Sequence, residues 1–458
     1  MHQNGKVSSM KRQPHVVVMP YPGRGHINPL LNLCKLILTK SNDFLFTFVV
    51  TEEWLGFLSS EPKPPANIRY AALPQVIPSE VDRADDMNGF IKAVLTKLQE
   101  PFERLLDQLE TPPTAIIYDT WLSSWMVEVG NKRNIPVASL FPMSASVFTF
   151  FHHFDLLVQH GHFPLDIIER GHEIVDYIPG LPSTKIGDLT TIFEGHGNKA
   201  FLQVINTLSF LKNATCLLFT SIYEIEEEVI KCVKEKLPIP VYHIGPMIPY
   251  FNLKPNEKCV SDEPYLQWLD CQPKDSVLYI SQGSFLSISN AQMEEIIAGI
   301  KESDVRFLWV TRGDTSRFKD GVGEKGCLVP WCDQLKVLCH PSVGGFWTHC
   351  GWNSTSESIY AGVPMLTCPI FWDQMPNSKL IVNDLKVGFR AINSGYNKEK
   401  LVSRVEITKL VTTFMDPQSV ERKEVVEKAK SLKHIFRRAI QDGGSATSDL
   451  DAFIKHIA

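Results

Sequence analysis

Two residues far apart in the chain have the chemistry of a proton-transfer pair. His26 closes the turn Tyr21-Pro-Gly-Arg-Gly-His that follows the apolar run HVVVMP. An imidazole titrates near neutrality, so at a cleft it is a natural general base. Asp119 ends a second apolar run, AIIYD. A carboxylate there can hold an imidazole in one tautomer and stabilise its cation, as in a hydrolase triad without the nucleophile. Structural uses compete with both. A His that merely caps its helix or meets solvent is as reasonable on position alone, and an Asp before TWLSSWMVEV is more commonly an N-cap. The distance between the two is not set by the sequence.

A second constellation is continuous, from Trp331 to Gln374. The buried-looking run Gly344–Thr348 leads into His349-Cys-Gly-Trp352-Asn353-Ser354, and an amphipathic segment, Ser354 to Ala361, ends at Gly362. This reads as strand, tight turn and helix, with Gly362 where a left-handed C-cap belongs. Asn353 and Ser354 then fall at a helix N-terminus, where unpaired N–H groups and the helix dipole favour an anion. Aromatic rings at each end (Trp331, Trp372) and the carboxylate of Glu357 complete a set able to serve phosphate, a flat base and sugar hydroxyls. The bland alternatives are a capping box for Ser354-x-x-Glu357 and core packing for Trp331 and Trp352.

The elements that must position these groups alternate. Strands are predicted at His15–Pro20, Phe44–Thr51, from Ile68, at Ala115–Asp119 and Val137–Pro142, with helices between, one of them across Asn88–Leu109. CLLFT and VYHIGP close this half. Residues 247–262, with Pro and polar residues, break the pattern and read as a linker between a domain at 1–246 and one from 263. The second series runs VLYISQGS, a helix at Gln292–Glu302, RFLWV, CLVPW, GGFWTH, MLTCPI and GFRA, then a charged helix at Glu421–Arg438. Alternating strands and helices imply parallel sheets with right-handed crossovers, hence an α/β protein of two doubly wound, Rossmann-like domains facing a cleft. The stretch Phe148–Ile192, rich in aromatics and His, reads as an insertion bordering a pocket.

Composition narrows the partners. At 458 residues the chain exceeds one comfortable core. With 46 Lys+Arg against 51 Asp+Glu, a net charge of -5 argues against nucleic acid or an anionic membrane. No apolar run reaches the roughly 18 residues of a membrane span, and MHQNGKVSSMKRQP carries no signal-peptide core. Ten cysteines without a CxxC pair read as buried thiols in a reducing compartment; a cytoplasmic location follows. Weaker motifs carry nothing further. Gly321-Val-Gly323-Glu-Lys-Gly326 precedes a strand, the reverse of a dinucleotide fingerprint, and reads as a loop. Gly23 and Gly25 follow the first strand as that fingerprint requires, but Asn28 holds the third glycine position and no acidic residue ends the second strand, so a nicotinamide cofactor is disfavoured. His152, His153, His160 and His162 have no metal-ligand spacing. Asn213-Ala-Thr215 and Asn353-Ser-Thr355 are chance matches to a glycosylation pattern in a chain without a secretory signal.

The stretch HPSVGGFWTHCGWNSTSES, followed by AGVPM and a terminal DQ, closely resembles the 44-residue signature box of plant family 1 UDP-dependent glycosyltransferases. GHINP at His26, YDTW at Asp119 and SQGS at Ser281–Ser284 extend the likeness to nearly the whole chain. The resemblance implies a GT-B fold, with acceptor held mainly by the N-terminal domain and UDP-sugar by residues 263–441, and a last helix, 442–458, that packs back on the first domain. Trp331 would stack on uracil, Cys332 would bind through its backbone, and Gln334 would lie beside the nucleoside. Glu357 would accept from the ribose hydroxyls. His349, Asn353, Ser354 and Ser284 would hold the diphosphate, and Trp352, Asp373 and Gln374 the sugar. His26 would be the catalytic base and Asp119 its partner. A terminal Gln goes with glucose in several relatives, so UDP-glucose is the implied donor; no metal or other cofactor is implied.

Three departures stand out. The box opens Trp-Cys-Asp-Gln instead of Trp-Ala-Pro-Gln, so Asp333 forfeits proline's rigidity. Trp372 replaces a commonly small residue, which narrows the sugar subsite. The hydroxyl the family places near the sugar, just after the fifth strand, is replaced or shifted here in Phe141-Pro-Met-Ser144, with Ser144 the candidate. The expectation is an inverting O-glucosyltransferase, acting as a monomer on a hydroxyl or carboxyl of a small hydrophobic acceptor such as a phenolic, terpenoid or hormone. The rivals are a catalytically silent UDP-sugar-binding protein and, third, a nucleotide-dependent dehydrogenase.

Overall fold

A computed structural model describes residues 13–83, 85–163, 167–189, 199–253, 263–283, 289–311, 323–391 and 401–458. Ser284 of the expected phosphate set lies outside them, as does most of the linker. The first half carries β1 (His15–Met19), β2 (Leu45–Thr51), β3 (Ile68–Leu73), β4 (Ala115–Asp119), β5 (Val137–Phe141), a two-residue hairpin of β6 (Ile174–Val175) and β7 (Thr184–Lys185), β8 (Cys216–Phe219) and β9 (Val241–His243). The second carries β10 (Val277–Ser281), β11 (Arg306–Val310), β12 (Gly326–Val329), β13 (Val343–Thr348), β14 (Met365–Thr367) and β15 (Gly388–Arg390).

The first sheet is ordered β3-β2-β1-β4-β5-β8-β9 and the second β12-β11-β10-β13-β14-β15, with parallel pairing at each of their junctions. Their strands read as unbroken apolar runs because both faces are covered. Along β1, Val17 and Met19 enter one core while Val16 and Val18 enter the core on the other side. β10 divides likewise, Tyr279 to one side and Leu278 and Ile280 to the other.

Strand order decides where ligands go. Each sheet reverses direction once, between β1 and β4 in the first and between β10 and β13 in the second. A crevice opens at such a switch point, beyond the carboxyl ends of the strands. Met19 is in register with Tyr118, so Asp119 stands at the first crevice. Ser281 is in register with Thr348, so Gln282 and His349 stand at the second.

Some boundaries differ from the sequence reading. The expected helix 88–109 is two, Met87–Lys97 and Gln99–Gln108, meeting at Leu98. Met247, placed in the linker, is buried in the first domain's core, where Asn32 Nδ2 donates to its carbonyl at 2.9 Å, and Ile248 beside it is buried too. Phe148, Phe150 and Phe151, at the start of the stretch read as an insertion, are core residues of the helix Ala145–His152 and its neighbours. The final helix, Ser445–Ile457, seats Leu450, Phe453 and Ile457 in the first domain's core, and Asp449 accepts from the His243 backbone N–H at 2.8 Å. Among the described residues no helix is long and apolar enough to cross a membrane.

Candidate active site

The helix Arg24–Lys40 starts immediately after the β1 turn, and His26 sits in its first turn, its N–H donating to the Gly23 carbonyl at 3.0 Å. The imidazole is mostly enclosed, its side chain 18% exposed, and Nδ1 lies 2.7 Å from Asp119 Oδ2. Asp119 is fully buried, and its Oδ1 accepts from the Trp121 backbone N–H at 3.1 Å. Both sequence readings of Asp119 are therefore true at once: one oxygen caps the short helix Thr120–Leu122, the other holds the histidine. The ionised carboxylate can only accept, so Nδ1 carries the proton and Nε2 offers its lone pair.

Around this pair are residues that the sequence did not single out. The Tyr21 ring centroid lies 5.1 Å from that of His26. The Arg83 guanidinium covers the turn: a Cβ on Gly23 would come within 2.8 Å of its Nη1. Arg83 pairs with Glu80 at 3.1 Å, and burial pushes the Glu80 carboxyl up to about 7. An isolated Arg or Glu in a loop gives no periodic signal, which is why these went unread.

On the opposite domain, the helix Trp352–Ala361 begins two residues earlier than the amphipathic pattern suggests, with Gly351 at its N-cap. Gly362 is left-handed at its end, with φ 75°. The Thr355 N–H donates to the Gly351 carbonyl at 2.9 Å, and the N–H groups of Trp352, Asn353 and Ser354 lie ahead of it, as helix geometry requires. Their combined dipole makes an anion site. His349 packs between two loops: a Cβ at Gly283 would come to 2.5 Å of its Nε2, and one at Gly351 to 2.4 Å. Gly283 also has φ 79°, a second reason for glycine.

The capping box does not form. Ser354 and Glu357 instead converge on Gln334, whose Nε2 donates to Ser354 Oγ at 2.8 Å and to Glu357 Oε2 at 2.6 Å. Tyr279, a buried hydroxyl read only as strand, donates to Gln334 Oε1 at 3.1 Å and fixes that amide. Burial pushes Glu357 up to about 7, against the Gln334 hydrogen bond. Trp331 is 68% exposed, a free aromatic face beside this group and not a core residue. Cys332 is buried. Asp333 replaces proline's stiffness with a cap, its Oδ1 accepting from the Lys336 N–H at 3.2 Å.

Trp352 is buried, and its indole Nε1 donates to the Thr220 carbonyl at 3.0 Å. What it can offer a sugar is its backbone N–H. Gln374 Oε1 accepts from the Ile370 and Phe371 N–H groups at 2.8 and 3.0 Å and closes its own loop. Asp373 faces the cleft near His26; burial pushes its carboxyl up to about 6, while Asn377 and the His26 charge pull it down. Trp372, left-handed with φ 58°, turns its ring toward the first domain, 6.4 Å from both Trp121 and Phe151. Ser144 is buried, donating to Asn377 Oδ1 at 3.1 Å and accepting from the Val147 N–H at 3.3 Å. The two crevices meet: Asn353 Nδ2 donates to the Gly25 carbonyl, one residue before His26, at 3.1 Å.

Two parallel-sheet domains, a His–Asp pair at one switch point, a helix start at the other and direct contact between them are the architecture of the GT-B fold. Comparison with known proteins agrees. Residues 234–403 match the model of the family described as UDP-glucoronosyl and UDP-glucosyl transferase. UDP-glycosyltransferase 87A2 of Arabidopsis thaliana is 52% identical over 445 residues, covering 97% of this chain and 96% of its own. The 7-deoxyloganetin glucosyltransferase of Catharanthus roseus is 31% identical, covering 98% and 97%. Phytolacca americana UGT2, solved with UDP-2fluoro-glucose and pterostilbene, superposes with a TM-score of 0.81 at 27% identity, covering 97% and 99%. The chain belongs to the plant family 1 UDP-glycosyltransferases. It is accordingly an enzyme, and neither the silent binder nor the dehydrogenase retains a basis.

Proposed function

We propose that the enzyme is an inverting O-glucosyltransferase that moves glucose from UDP-glucose to a hydroxyl, or carboxyl, of a small hydrophobic acceptor such as a phenolic, terpenoid or hormone. The observation that carries this reading is the His26–Asp119 pair, 2.7 Å apart, opposite the start of the helix Trp352–Ala361. His26 Nε2 takes the acceptor proton as the acceptor oxygen attacks the anomeric carbon. The bond from that carbon to the β-phosphate oxygen breaks, and UDP leaves with its electrons. Asp119 stabilises the imidazolium.

On the donor side, Trp331 stacks on uracil, with the Cys332 backbone and Gln334 beside the nucleoside and Glu357 on the ribose hydroxyls. His349, the N–H groups at Asn353 and Ser354, and Ser284 take the diphosphate. Asp373, the Trp352 N–H and Gln374 take the sugar. The helix N-terminus and His349 supply the positive potential a metal would otherwise bring to the leaving group, so the reaction runs without one. One chain supplies both crevices, which suits a monomer. The nine described cysteines, all unpaired, suit the cytoplasm.

Purified enzyme incubated with UDP-glucose and a panel of phenols, terpenols and hormones, with mass-spectrometric detection, should yield acceptors carrying one added hexose, with no loss on adding EDTA. Absence of product across the panel, or product from UDP-galactose in preference, would overturn the assignment of donor and reaction.

Ribose hydroxyls donate best to an ionised carboxylate, so donor binding favours deprotonated Glu357. Burial pushes its carboxyl up to about 7. The sign follows: UDP-glucose affinity is full above that pH and weakens as pH falls through it. Calorimetric titrations from pH 5 to 8 should show this limb, and Glu357→Gln should flatten it. A limb unchanged in Glu357→Gln would remove Glu357 from the ribose.

A further inference from the structure

Asn377 lies beyond the Trp331–Gln374 box, on the helix Gln374–Lys379, and is completely buried. Its Nδ2 donates to the Cys350 carbonyl at 3.0 Å and to Asp373 Oδ2 at 2.8 Å. Both partners can only accept, so the chemistry fixes which end of the amide faces them. The other end, Oδ1, accepts from Ser144 Oγ at 3.1 Å.

These three partners belong to three different parts of the site. Cys350 is the left-handed residue, φ 67°, in the turn from His349 to the start of the helix Trp352–Ala361. A non-glycine residue held there costs on the order of 1 kcal/mol and persists only where its surroundings impose it. Asp373 is the carboxylate at the sugar end of the box. Ser144 comes from the opposite domain, just after β5, where it also caps the helix Ala145–His152. A fully buried amide with both N–H groups and its carbonyl engaged has one geometry, because any rotation would leave a buried polar group unpaired.

We propose that Asn377 is the positioning residue of the donor site: it fixes the Asp373 carboxylate relative to the His349–Gly351 turn and ties both to the acceptor domain through Ser144. This rests on the assignment of Asp373 to the sugar made above. Asn377 touches neither donor nor acceptor; it acts through Asp373. The donor's sugar and its diphosphate are thereby held at a fixed separation, and the acceptor domain is held in register with both. A carboxylate displaced by about 1 Å can cost on the order of 100-fold in turnover.

A double-mutant cycle tests this. Asn377→Ala and Asp373→Ala are measured singly and together, as kcat and KM for UDP-glucose, with thermal unfolding as the check on folding. Asn377→Ala should lower kcat/KM by about 10- to 100-fold in the wild-type background and change it little in the Asp373→Ala background, because the residue acts through that carboxylate. Additive losses, with Asp373→Ala itself impaired, would overturn the positioning role and leave the sugar assignment standing. An unimpaired Asp373→Ala would instead overturn the sugar assignment and this inference with it. Should Asn377→Ala not fold, Ser144→Ala enters the same cycle: a loss that disappears in the Asp373→Ala background supports the coupling, and one that persists in full contradicts it.

Discussion

His26→Ala should lower kcat by about 100- to 10,000-fold, the contribution of a positioned general base, while leaving UDP affinity near that of the wild type. The separation follows from geometry. His26 is in the first domain, held by Asp119, while the groups proposed to face UDP are in the second. Deleting the imidazole removes the acceptor for the hydroxyl proton but none of the nucleotide's partners. Steady-state kinetics with calorimetric titration of UDP would check both halves. Near-normal turnover in His26→Ala would refute the base assignment, and acceptors of low hydroxyl pKa should suffer least, since they need the base least.

Asp119→Asn should be nearly as damaging, by about 100- to 10,000-fold, for a reason legible in the hydrogen bonds. The Trp121 N–H requires an acceptor and will keep the asparagine oxygen. The amide NH2 then faces His26 Nδ1, which must accept, so the imidazole proton moves to Nε2 and the base is lost. Asp119→Ala removes the orienting group without imposing the wrong tautomer, and should be the milder of the two at the imidazole. Rates for the two variants, with nitrogen NMR of the imidazole tautomer, would decide. Equal, small losses would mean that Asp119 is only the cap of the following turn.

Much of the frame was readable because parallel strands buried on both faces appear as short apolar runs, as at Val16–Met19 and Leu278–Ile280. Strand order was not readable, and strand order is what brings His26 beside Asp119, 93 positions apart. Local patterns misled where two structural uses share one spelling. Ser354-x-x-Glu357 and Ser403-x-x-Glu406 have the same spacing, yet only the second is a capping box. At Ser354 the helix has already begun at Trp352 with Gly351 as cap, so the serine hydroxyl and the carboxylate are released toward Gln334. Ser403 precedes its helix and is consumed by it, and that helix, Arg404–Met415, was not anticipated.

The donor box was also narrowed by packing. The Trp352 indole is engaged by the Thr220 carbonyl of the opposite domain, which leaves the backbone N–H as the group this residue can turn toward a sugar. The Trp372 ring lies edge-on to Trp121, a contact across the two domains that no local pattern announces. Tyr279 and Asn377 carried no motif; a hydroxyl in an apolar strand and an amide past the end of the box acquire meaning only through their partners.

The central claim is a single displacement between His26 and the leaving diphosphate, with acceptor and UDP on opposite faces of the anomeric carbon. Proton NMR of the glucoside formed from UDP-glucose reads this directly through the anomeric coupling. The expected product is the β-glucoside, inverted from the α linkage of the donor. An α-glucoside, or a glucosyl group trapped covalently on the protein, would contradict it.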